Sequence, residues 1–128
     1  MDNSLKSILI IFAGSGIGGV ARYGMQTWIL KLYPFAFPVG TFIVNIAGCF
    51  LIGLFYALSE KGNMFSPDWR LALTTGLCGG FTTFSAFGYE NMSLLKTGDY
   101  VTAGLYITAS IVLGIAAVFG GVFITRYI

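Results

Sequence analysis

A chain of 128 residues suggests one small domain, but with 56% of residues hydrophobic, only 9% charged and a mean hydropathy of +0.83 an ordinary soluble domain is excluded. Seven Lys and Arg and five Asp and Glu cannot form the charged shell that so apolar a globule needs in water, so lipid is the expected solvent. The net charge of +2, without any Lys or Arg run, argues against nucleic acid as a partner.

The first apolar stretch covers about residues 5–30. Lys6 followed by Ile8 to Ala13 imitates a secretory signal, yet the apolar character continues past Gly14 to Leu30 with no small-x-small cleavage site before a polar region. It reads as a retained membrane helix. Gly14 and Gly18 form a GxxxG suited to close helix packing. Arg22, after Gly18-Gly19, is expected near an interface, where it snorkels, pairs with backbone carbonyls or draws anions toward a vestibule.

Charges, prolines and glycines collect at residues 31–38, 60–68 and 96–99, leaving three further apolar stretches at about 39–58, 69–95 and 100–125. Each meets the roughly 20 residues a helix needs to cross hydrocarbon, and none alternates with period two as a barrel strand would. The expectation is a single four-helix transmembrane domain over residues 1–128.

Polar side chains at bilayer depth are costly, so each is a candidate site. In the second span Thr41, Asn45 and Gly48, spaced by four and three, share one face. Cys49 and, later, Cys78 sit in apolar stretches without metal spacing and read as small buried hydrophobes. The third span carries Gly76, Gly79 and Gly80, then Thr82-Thr83, halfway along. Glycine costs about 1 kcal/mol in a helix interior, so the span is predicted to break near residues 79–83, freeing carbonyls able to hold a cation such as Na⁺. A simple kink is the alternative.

Phe84 and Phe87 follow, three apart on one face, and the positive edges of their rings suit a small anion held weakly. Glu90 comes one turn later, protonated, hydrogen-bonded or facing a vestibule. The fourth span adds Thr102, Tyr106, Ser110 and Gly114 at steps of four, a second polar stripe, and its Gly104, Gly120 and Gly121 suit packing. The two stripes either line a path or join helices by hydrogen bonds.

An even number of spans puts both termini on one side with Lys6, Lys61, Arg70 and Arg126, against Lys31, Lys96 and Arg22 on the other. So small a bias predicts insertion both ways round and antiparallel pairing; the alternative is that it still suffices for one orientation. Four helices leave little room for a polar path, so a second copy is expected to complete it. The chain has no His, no HExxH and no phosphate-binding glycine loop, and is not expected to be an enzyme.

Three segments, in this order on a four-span chain, resemble the Fluc family of fluoride channels, also called CrcB proteins. They are Gly18-Gly19-Val20-Ala21-Arg22-Tyr23, then Gly40-Thr41 with Val44-Asn45 and Gly48, then the glycine pair running into Thr82-Thr83-Phe84-Ser85 and Phe87. The resemblance implies a dual-topology antiparallel homodimer in the cell (inner or plasma) membrane, with two pores passing F⁻ passively in preference to Cl⁻. By similarity Phe84 and Phe87 form an aromatic box, Asn45 donates to the ion, and Tyr106, Ser110, Thr41 and Ser85 supply pore-side hydroxyls. The carbonyls of Gly79 and Thr82 from both copies would hold a structural Na⁺, with Arg22 and Glu90 at a vestibule. Ala86, where the family commonly has Thr, and Gly114, where some members have a hydroxyl, depart from the pattern. A small multidrug transporter would need an acid in its first helix, which is lacking; a structural subunit would leave the polar stripes without purpose.

Overall fold

The computed structural model describes residues 3–62 and 64–128; Met1, Asp2 and Asn63, which the single-domain reading also takes in, lie outside the described residues. Among the described residues the regular structure is entirely helical. Helix α1 spans Asn3–Leu32, α2 Val39–Glu60 and α6 Tyr100–Ile124, extended by a 3₁₀ turn at Thr125–Tyr127. These three are long and apolar enough to cross a membrane. Phe12, Val20, Val101 and Phe119 point outward almost uncovered, which water would penalise and lipid does not.

Between α2 and α6 the chain is divided. Ser66 caps α3 (Pro67–Leu71) by accepting from the Trp69 amide at 3.3 Å, with Pro67 at the first helical position where its missing N–H costs nothing. A π-helical stretch, Ala72–Cys78, follows, then one turn, α4 (Gly79–Phe81). Thr82 and Thr83 are extended (φ −89°, ψ 159° and φ −149°, ψ 112°), and helix resumes as α5, Phe84–Lys96. The wider π turn is a feature that hydropathy and glycine spacing do not reveal; such turns gather at functional sites.

Lipid tails are as apolar as Leu, so nothing squeezes these helices together except close packing and hydrogen bonds. Small residues supply the packing. A Cβ on Gly18 would run into the Leu77 carbonyl, and one on Gly80 into the backbone of Ser15, so α1 lies directly on the π turn and α4. Gly53 and Gly121 bring α2 and α6 equally close, whereas Gly104 and Gly16 face open space. Where the loops and termini meet, Lys6 pairs with Asp68 at 2.6 Å and Lys61 donates to the Thr125 carbonyl at 2.7 Å, capping the end of α6.

Candidate functional site

Thr82 and Thr83 interrupt the helical ladder inside a predicted span, where unpaired backbone is expensive. Asn45 of α2 meets that cost. Its Oδ1 accepts from the Thr83 amide at 2.8 Å and its Nδ2 donates to the Thr83 carbonyl at 3.1 Å, a two-point clamp that also settles which amide atom is which. Arg22 of α1 reaches in from the other side, its Nε donating to the Gly80 carbonyl at 3.2 Å. Thr83 then caps α5 by accepting from the Ala86 amide at 3.2 Å, and its hydroxyl lies 3.5 Å from that of Ser85. Gly48 sits under the Thr82 methyl, where a larger residue would push the interruption away from α2.

Two carbonyls lose their usual helical donors in this arrangement. The amide four residues beyond Gly79 belongs to Thr83 and is committed to Asn45; the amide four beyond Thr82 belongs to Ala86 and is committed to the Thr83 hydroxyl. Peptide oxygens released this way fit a hard cation, and among the described residues no group of three or more His, Cys, Asp or Glu offers a competing metal site.

Beside the interruption runs a groove of about 340 Å³. Asn45 and Cys49 line it from α2, Gly79, Thr82, Phe84 and Phe87 from the divided segment, and Ser110 from α6. Among the described residues no Asp, Glu, Lys or Arg lines it. The Phe84 and Phe87 rings lie 5.6 Å apart, tilted by 38°, and Phe84 is 83% exposed. Phe87 presents itself to the Tyr106 ring in a T-shaped contact at 4.9 Å.

Behind Phe87 a chain of hydrogen bonds joins four elements. Gln26 of α1 donates to the Thr41 hydroxyl at 3.0 Å, Thr41 of α2 donates to Glu90 Oε2 at 2.7 Å, and Tyr106 of α6 donates to Glu90 Oε1 at 2.9 Å. Thr41 is 3% and Tyr106 0% exposed.

Of the residues singled out from sequence, the groove therefore brings together Asn45, Ser110, Phe84, Phe87, Gly79 and Thr82. Thr41 and Tyr106 lie behind it on Glu90, Arg22 holds the backbone of α4, and Ser85 is exposed at the start of α5. Gln26 was not singled out: it is an ordinary polar residue near a helix end, and only its contact with Thr41 marks it. Cys49 and Cys78 also line the groove, Cys78 buried as expected and Cys49 half-buried.

Long apolar helices around a donor-bearing groove define a multi-pass helical membrane protein. Residues 9–122 match the family model described as CrcB-like protein, Camphor Resistance (CrcB). The chain belongs to this family. It is 49% identical over 122 residues to the fluoride-specific ion channel FluC of Phocaeicola vulgatus, covering 95% of this chain and 100% of that one. It is 47% identical over 122 residues to the protein of the same name from Flavobacterium psychrophilum (95% and 98% covered), and 43% identical over 124 residues to that of Leptospira interrogans (97% and 98% covered).

Proposed function

We propose that this protein is a passive fluoride channel of the cell (inner or plasma) membrane, lowering cytoplasmic fluoride. The groove carries the reading: an amide, hydroxyl residues and two phenyl rings, with no fixed charge among the described residues that line it. Fluoride holds its water tightly, so a path must replace that shell with several hydrogen-bond donors; a fixed cation would bind it too firmly to release. Asn45 has one Nδ2 hydrogen beyond the one given to Thr83, and Ser110 has a hydroxyl. The positive edges of Phe84 and Phe87 add weak attraction along an apolar wall that gives larger halides no gain in fit. In liposomes loaded with KF, addition of valinomycin is expected to release fluoride in the presence of the protein, and in liposomes loaded with KCl to release no chloride; no fluoride release, or equal chloride release, overturns the reading.

One chain offers this groove open on one side, with Phe84 bare. A second copy inserted the opposite way round would close it, giving an antiparallel homodimer with two pores, in which the interrupted segment Pro67 to Lys96 makes a fourth crossing. The near balance of Lys and Arg between the two ends supports dual insertion. A single cysteine placed at either terminus of a cysteine-free variant is then expected to react with impermeant reagents from both faces of the membrane; labelling from one face only refutes it.

The carbonyls of Gly79 and Thr82, one pair from each copy, would hold a Na⁺ at the dimer centre, where the ion would screen four converging oxygens and fasten the two interruptions together. Dialysis into Na⁺-free buffer is expected to shift the purified protein toward monomer on gel filtration and to reduce efflux. An unchanged profile would remove the cation from the assembly.

A further inference from the structure

The hydroxyls of Thr41 and Tyr106 each donate to a different oxygen of Glu90, so the single proton of each points at that side chain. Thr41, its proton given away, has only lone pairs left for Gln26, which must therefore present its NH₂ group, as it does at 3.0 Å. Both hydroxyl donors of this cluster are turned inward onto one oxygen pair. No cation balances that carboxylate: among the described residues the one ion pair joins Lys6 to Asp68, in the region of the loops and termini.

The cluster adjoins the groove through two neighbouring residues. Ser110, one turn along α6 from Tyr106, lines the groove, and so does Phe87, one turn before Glu90 on α5 and in T-shaped contact with the Tyr106 ring at 4.9 Å. An anion leaving Asn45 and Phe87 in this direction meets hydroxyls whose hydrogens are already held by Glu90. We infer that the Glu90 carboxylate is a resident anion holding the hydroxyl hydrogens of Thr41 and Tyr106, so that fluoride traverses this end of the pathway only by displacing it from at least one of them. Glu90 thereby sets how tightly the path binds: the hydroxyls are stored in position, yet each is available only against a competitor of like charge. No bond is broken beyond hydrogen bonds, and no proton leaves either hydroxyl. The inference rests on the channel reading above.

The substitution Glu90→Gln separates this role from others. A Gln side chain accepts from one hydroxyl and must donate to the second, which turns that hydroxyl's proton free. Fluoride efflux from liposomes as a function of KF concentration is then expected to show half-saturation at about ten-fold lower fluoride with a slower maximum, since a donor is released and a competing charge removed. Made in a Thr41→Val/Tyr106→Phe background, the same substitution is expected to change half-saturation less than two-fold, because no hydroxyl remains to be freed. An equal shift in both backgrounds would show Glu90 acting only as a repelling charge, and no shift in the first would show it acting only as a structural link; either overturns the inference. Should the Gln variant not assemble, the wild-type protein still decides. Fluoride, but not chloride, is expected to shift a carboxylate infrared band that is missing in whichever Glu90 variant folds, and an unmoved band overturns the inference. Wild-type liposomes without any fluoride efflux would instead remove the channel reading on which it rests.

Discussion

Phe84→Ile and Phe87→Ile are each expected to lower fluoride efflux from liposomes about five- to ten-fold, the loss that corresponds to roughly 1 kcal/mol of ring-edge interaction. Isoleucine keeps an apolar wall of similar depth but has no quadrupole, so only the attraction of the ring edge is removed. The two positions should differ in stability. Within one chain Phe84 is largely uncovered, so its replacement should lower the melting temperature in detergent less than that of Phe87. Phe87 packs on Tyr106 at 4.9 Å as well as on Phe84 at 5.6 Å, so its replacement should also cost some stability. Efflux equal to wild type in both variants would take the rings out of the pathway.

Asn45→Ala should be the most damaging single change at the site. It strands both the amide and the carbonyl of Thr83, at a cost of about 2–4 kcal/mol, and it removes the groove's amide donor as well. Thermal melting should fall by several degrees and efflux should be lost. Asn45→Asp tests the geometry of the clamp: its carboxylate can still accept from the Thr83 amide but faces the Thr83 carbonyl with lone pairs. It should rescue stability in part and efflux not at all, since a fixed negative charge then lines the groove. An alanine variant as stable as wild type would mean that Asn45 does not hold the interruption.

Hydropathy made the membrane class and the all-helical chain legible, because α1, α2 and α6 are runs of local apolar character that need no knowledge of neighbours. Steps of three and four likewise placed Asn45 and Ser110 on faces that do line one groove. The same steps grouped Thr41 with Asn45 and Tyr106 with Ser110 as single stripes, whereas the fold splits each: one member lines the groove and the other is spent on Glu90.

Composition and periodicity thus determine solvent, helices and which residues share a face, since these follow from the free energy of transfer and from 3.6 residues per turn. What each polar group bonds to was decided only by the tertiary structure. Asn45 finds Thr83 38 residues away, Thr41 finds Glu90 49 residues away and Arg22 finds Gly80 58 residues away. Those distances along the chain are closed by glycine contacts such as Gly18 on Leu77, and the depth to which two helices sink together appears in neither helix's own sequence.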